Sequence, residues 1–236
     1  MGASVEKQFL RSARVAGLAY LIVIVAGLYA QLAVFQPLTH MSSVATANAI
    51  ATNGWLWRLG IAINILGLIA NVPLGVILYG FFHRLHPTLA RCALAFILIC
   101  TAMEAGNLLF LYVPLAMGID GGQLVATTEW QALAYVAIRL HTTGLGLALL
   151  FFAGFCILTG ILILLSRIVP RVLGLLMMLA GICYALNTLA MVVAPGIWSM
   201  ISPGVLVPCL IAEAALAAWL LVKGVVAPAM APHAKS

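Results

Sequence analysis

The sequence predicts an all-α fold, a polytopic transmembrane bundle of six helices, and three observations carry that prediction. The 236 residues are 65% hydrophobic and only 7% charged, with a mean hydropathy of +1.21. An ordinary soluble domain is about one-quarter charged, so this chain cannot clothe its own surface in polar groups, and a lipid bilayer is the partner that fits. Six apolar runs are each long enough to cross a hydrocarbon core about 30 Å thick. Between the runs lie Pro- and Gly-containing breaks, and the basic residues fall almost entirely at alternate breaks.

The first run, 14–35, follows Lys7, Arg11 and Arg14. That arrangement is superficially a signal peptide, but the run is too long for a cleaved apolar core, and Leu28 and Ala30 make a poor small-x-small cleavage pair. It is read as an uncleaved first span, stopped by Gln36-Pro37. The second run, 56–81, carries Pro73, which is expected to bend it, and ends before His86-Pro87. The third, 90–114, ends before Gly118 to Gly122. The fourth, 131–165, is long enough to tilt or to project beyond the lipid, and Val169-Pro170 follows it. The fifth, 170–194, ends at Ala194-Pro195-Gly196. The sixth, 203–226, opens at Ser202-Pro203-Gly204 and contains Pro208, a second expected bend. Residues 1–13 form an N-terminal segment, 14–226 the membrane domain and 227–236 a C-terminal tail.

Charge sets the expected orientation. On a six-span path Lys7, Arg11, Arg14, Arg84, Arg91, Arg167, Arg171, Lys223 and Lys235 fall on one side, nine of the eleven Lys and Arg. Basic loops stay in the cytoplasm, so both termini are expected there. Arg58 and Arg139 enter from the other end, where Asp120 and Glu129 lie in a loop. The net charge of +6 is spread singly between apolar runs, which excludes a nucleic-acid-binding surface. The five cysteines, Cys92, Cys100, Cys156, Cys183 and Cys209, lie within separate apolar runs without a CxxC, so no disulfide is expected.

Ionisable groups inside a bilayer mark a functional-site hypothesis by default. At about 1.5 Å of rise per residue, Glu104 lies roughly 20 Å from the basic end of the third run and Asn187 roughly 25 Å from that end of the fifth. From the opposite ends, Asn64 is roughly 12 Å deep and His141 and Glu213 roughly 15 Å deep. Five runs thus place polar side chains between the midplane and the outer half, and Arg58 and Arg139 enter the same slab. Glu104 and Asn107, three apart, share a helix face, as do Arg139 and Thr143, four apart. Glu104, His141, Glu213, Asn64, Asn107, Arg139, Asn187 and Arg58 are the candidate site. Glu, His and Cys are metal-ligand types, and Cys100-Glu104 and Cys209-Glu213 are spaced one turn apart, but no HExxH, ExxH or HxxxH occurs and no metal site is predicted. The alternative role for these groups is interhelical fastening, with a carboxyl paired to Arg58, Arg139 or His141. The two three-helix halves also carry a weak inverted likeness: Asn64 and Asn187 in the second helix of each, Glu104-Ala105 and Glu213-Ala214 in the third.

Trp55, Trp57, Tyr112, Trp130, Tyr135 and Trp198 fall near the outer boundary as an interfacial belt, with Trp219 towards the other face. Gly144, Gly146, Gly154 and Gly160 are expected to let helices approach closely.

In order and spacing, RVAGLAYLIVIVAG at 14–27, WRLGI at 57–61, MEAGNLLF at 103–110, LHTTGLGLALLFFAGFCILTG at 140–160, SRIVPRVLGLLMMLAGICY at 166–184 and AEAALAAWLLVKG at 212–224 resemble the bacterial domain-of-unknown-function family numbered 4386. The resemblance covers about 14–225. It implies a six-helix protein of the bacterial cytoplasmic (inner) membrane and no particular chemistry. It also implies a His in many members where this chain has Phe155, and an acidic residue near Asn187; this chain departs at both.

Three functions stay open. One is binding or transport of a small ligand at a buried polar pocket. Another is an intramembrane enzyme acting on a lipid or isoprenoid, with Glu104 or Glu213 as acid or base and His141 as partner. The third is a non-catalytic scaffold or accessory subunit. No phosphate-binding loop of the GxxxxGK[ST] type is present, and the sequence names no cofactor.

Overall fold

The structure is a computed structural model that describes residues 2–39, 42–119, 128–202 and 204–225. Asp120, Gly121, Gly122, Pro203, Lys235 and the 227–236 tail lie outside the described residues. Helix α1, Gly2–Leu28, begins well before the predicted start at 14 and runs on through a π-helical turn, Tyr29–Phe35, into α2, Gln36–Thr39. Pro37 therefore does not end the first span as expected. A proline ring presses on the carbonyl four residues back and offers no N–H. The π turn before it widens the ladder, with the Gln36 N–H bonded to the Gln31 carbonyl, and so absorbs the misfit.

A short helix that the sequence did not announce, α3 (Ser43–Thr52), precedes the second span. The Ser42 hydroxyl caps it, accepting from the Ala45 N–H at 3.4 Å. It is too short to cross a membrane and packs against two later helices, Leu109–Ile119 and Thr128–Ser166. The second span is α4, Gly54–Phe82, with Pro73 inside it. The third span is two helices, α5 (Pro87–Asn107) and α6 (Leu109–Ile119), rather than one. At the break the Leu111 N–H turns to the Leu108 carbonyl, which leaves the Asn107 carbonyl open to a side chain. Helix α7, Thr128–Ser166, has 39 residues, about 58 Å at the usual rise, so it projects beyond any bilayer core as expected. The fifth span is α8, Arg171–Val193; a short α9, Pro195–Ile201, and a 3-10 turn, Gly204–Leu206, lead into α10, Val207–Val222. Pro208 does not bend α10. It sits in the first turn, where its N–H would have had no partner anyway.

Six continuous helical spans, of which the first, third and sixth join consecutive elements, are long and apolar enough to cross a membrane, and no strand occurs among the described residues. The long helices form a closed ring. Each packs on the next in sequence, from α1 to α4, α5, α7 and α8, and α10 returns to α1. The closure is tight, since a Cβ at Gly17 of α1 would lie 2.8 Å from the Leu221 backbone nitrogen. Gly224, after α10, packs against Leu10, so the start of α1 and the end of α10 share one face.

The expected small-residue contacts are present. A Cβ on Gly160 of α7 would meet the Gly174 carbonyl oxygen of α8 at 2.5 Å, and one on Gly154 would meet the Phe96 ring at 2.8 Å. Trp57 leaves the expected interfacial belt. It is fully buried, and its indole N–H donates to the Leu111 carbonyl at 2.8 Å. Trp55 and Tyr112 are exposed.

Candidate functional site

The polar groups fall into two layers rather than one. The deeper layer is built on α10, where Cys209, Glu213, Leu216 and Leu220 form the stripe turned into the ring. Glu213 is 5% exposed, and the Tyr184 hydroxyl of α8 donates to its Oε1 at 2.5 Å. Tyr20 of α1, fully buried, also faces this carboxyl, and its hydroxyl lies 4.0 Å from the Met177 sulfur. Across the ring, Glu104 of α5 is within electrostatic range of Glu213. The Cys100 thiol, one turn before Glu104, donates to its Oε1 at 3.3 Å. Cys156 of α7 belongs to the same neighbourhood. Phe152 meets the Tyr184 ring edge-on at 5.5 Å and also contacts Phe155.

Helix α4 adds Asn71, 4% exposed, on the stripe it shares with Leu74 and Leu78. Gly75 packs on Ile97 of α5. One turn outward along both antiparallel helices brings Asn71 level with Thr101, about a turn from Glu104. The Asn71 Oδ1 is buried with no hydrogen-bond partner. An unsatisfied buried acceptor of this kind is uncommon and calls for an explanation.

The outer layer is made of fastenings. The Asn107 side-chain amide donates to the His141 carbonyl at 2.8 Å. The His141 Nδ1 lies 3.2 Å from the Asn107 carbonyl that the α5–α6 break leaves open. The amide fits because residue 144 is glycine; a Cβ there would collide with the Asn107 Oδ1. Asn187 of α8 accepts from the Trp198 indole of α9 at 3.1 Å, and the Thr188 hydroxyl donates to the Gly146 carbonyl of α7 at 2.7 Å.

The structure therefore joins Glu104 to the neighbourhood of Glu213 and joins Asn107 to His141, while Asn187 lies in a separate contact with Trp198. Asn64 is half-buried, and Arg58 and Arg139 are exposed. The expected pairing of a carboxyl with Arg58, Arg139 or His141 does not occur; the carboxyls are met by Cys100 and Tyr184. Arg58 stands four residues into α4 and Arg139 eleven residues into α7, and both long side chains run to the exposed surface of the bundle. Of the inverted likeness between the halves, the two glutamates lie within electrostatic range of each other and the two asparagines do not meet.

Tyr20, Asn71, Tyr184 and Cys156 were not among the sequence candidates. Tyr184 could have been found from its depth, because a tyrosine far from both ends of a span needs a partner for its hydroxyl; Tyr20, six residues into the predicted run 14–35, became deep only because α1 starts earlier, at Gly2. No group of three or more His, Cys, Asp or Glu able to hold a metal occurs among the described residues.

Two cavities lie away from both layers. One is a void of about 10 Å³ between Gly75, Leu94, Phe155 and Thr159, about the size of one water. The other is a groove of about 350 Å³ lined by Arg167, Ile168, Val169, Pro170, Arg171 and Trp219.

No curated protein and no solved structure matches the chain. Residues 15–224 match the family described as a domain of unknown function, DUF4386, and with nearly the whole six-helix ring inside that match the chain belongs to this family.

Proposed function

We propose that this protein binds and moves a small cation, with the proton as the simplest case, at the Glu104–Glu213 layer of its helix ring. The observation that carries the proposal is that two carboxyls, the half-buried Glu104 of α5 and the buried Glu213 of α10, lie in electrostatic range of each other while their hydrogen-bond partners are a thiol and a phenol. Two uncompensated negative charges inside a lipid-embedded core are too costly to keep. Such a pair is carried with a proton or a cation between its members. Tyr20 and Tyr184 supply further oxygen atoms beside Glu213, and oxygen donors of this kind suit a hard ion. The closed ring supports an occluded state, with passage requiring helices to part on one face and then the other. Charge distribution supports a cytoplasmic position for both chain termini, in a bacterial inner membrane.

The test uses the purified protein in liposomes loaded with a pH-sensitive dye, driven by an imposed potassium diffusion potential, with and without sodium. Proton or sodium-dependent flux in the parent and its loss in Glu104→Gln and Glu213→Gln, both still folded, is the expected result. Equal flux in parent, variants and empty liposomes overturns the proposal.

A second reading, a non-catalytic scaffold, draws on the outer layer, where Asn107, His141, Asn187 and Thr188 are tied to neighbouring helices. An enzyme acting on a lipid or isoprenoid draws no support from either cavity, since neither touches Glu104, His141 or Glu213.

A further inference from the structure

The groove between the end of α7, the start of α8 and the flank of α10 has features that the ion layer does not use. Its wall is the turn Arg167, Ile168, Val169, Pro170 and Arg171, with Trp219 of α10 opposite. Ile168 and Val169 are buried and anchor the turn, while both arginines are exposed. No ion pair or hydrogen bond engages either guanidinium among the described residues.

Arg167 is the only described non-glycine residue with a positive φ, at 57°. Helices commonly close on a left-handed residue, and glycine is the usual choice because it has no Cβ to strain. This chain uses glycine for that purpose after α10, where Gly224 has φ 73°. At the end of α7 it carries an arginine instead, in a conformation arginine disfavours. A strained residue that a glycine would relieve points to a use for its side chain.

Lys223, one turn beyond Trp219, adds a third basic group on that flank of α10. The volume is at the lower end of the roughly 300–1,000 Å³ typical of small-ligand sites. The position is a helix-to-helix turn at the basic end of a membrane bundle. Exposed Leu165, Val172 and Leu175 border it on α7 and α8, a surface that acyl chains can cover. Arginine forks match phosphate oxygens, and a tryptophan at the interface suits the glycerol level of a lipid.

We propose that this groove is a binding site for the phosphate headgroup of an anionic phospholipid of the same leaflet, held by Arg167 and Arg171 with Trp219 as its floor. The site is independent of the ion layer and stands or falls without it.

The experiment is native mass spectrometry of the full chain released from nanodiscs of phosphatidylcholine with added phosphatidylglycerol. The parent should retain one phosphatidylglycerol. Arg167→Gln/Arg171→Gln should retain it at least tenfold less, and Arg84→Gln/Arg91→Gln, which removes the same charge elsewhere on that end, should behave as the parent. Arg167→Gly relieves the backbone while deleting the side chain. It should be at least as heat-stable as the parent in phosphatidylcholine, yet lose lipid retention. Soluble glycerol phosphate should neither bind nor compete. Equal loss in both double variants would mean diffuse attraction and overturn the site, as would unchanged retention in Arg167→Gln/Arg171→Gln or binding of glycerol phosphate as tightly as the lipid.

Discussion

Asn107 and His141 satisfy each other's backbones. The amide of one reaches the carbonyl of the other at 2.8 Å, and the imidazole reaches back to the Asn107 carbonyl at 3.2 Å. The exchange stitches α5 to α7 where the third span breaks. A carbonyl freed by a helix break needs a donor if it is not to face an apolar core, and the ring Nδ1 meets that need in the tautomer that carries its proton there.

Asn107→Ala and His141→Ala should each lower stability by about 1–2 kcal/mol, since a buried group is left without its partner. The double variant should lose less than the sum, with a coupling of about 0.6–1.7 kcal/mol, the scale of hydrogen bonds between membrane helices. Reversible unfolding in detergent measures both. Strict additivity would show that the two residues do not act together.

Gly160→Ala should destabilise by about 1–3 kcal/mol, the usual effect of overpacking, because its Cβ would stand 2.5 Å from the Gly174 carbonyl oxygen. Gly27→Ala meets nothing within 4 Å and should be neutral or stabilising by up to about 1 kcal/mol from helix propensity. Thermal midpoints of the two variants, measured side by side, test the contrast.

All five cysteines are free, and only Cys92 is exposed. A small membrane-permeable maleimide should add once to the folded protein and five times after denaturation without reductant. Intact mass reads both numbers, and a denatured count of three would reveal a disulfide.

Reporter fusions after Arg84, after Arg171 and at the C-terminus should all report the cytoplasm, and an insertion after Glu129 the opposite side. The eight basic residues on that end among the described residues are the warrant. A C-terminal reporter on the outer side would reverse the orientation.

The six spans were legible because length and hydropathy alone decide what crosses a bilayer. The local surprises were less so. Pro37 reads as a stop, yet a π turn carries the helix past it, and the third span reads as one run although it divides after Asn107. The depth of Glu104 and Glu213 could be counted along each helix, but not their neighbours. A helix apolar all round gives little sign of which face turns inward, so nothing in the sequence said that Tyr20 and Tyr184 turn towards the carboxyls. Arg58 and Arg139 misled for the related reason that depth along a helix says nothing of the direction a long side chain takes.

The pairing of α1 with α10 has a consequence for biogenesis. Spans enter the membrane in the order of synthesis, so the first waits with one flank against lipid until the last emerges and Leu221 docks over Gly17. Glu213 and Tyr20 ride on those two spans, which makes the carboxyl layer the final part of the molecule to assemble. An insertion intermediate holding only five spans presents Glu104 without its counterpart, a species that membrane quality control can distinguish from the finished protein by its unsealed seam.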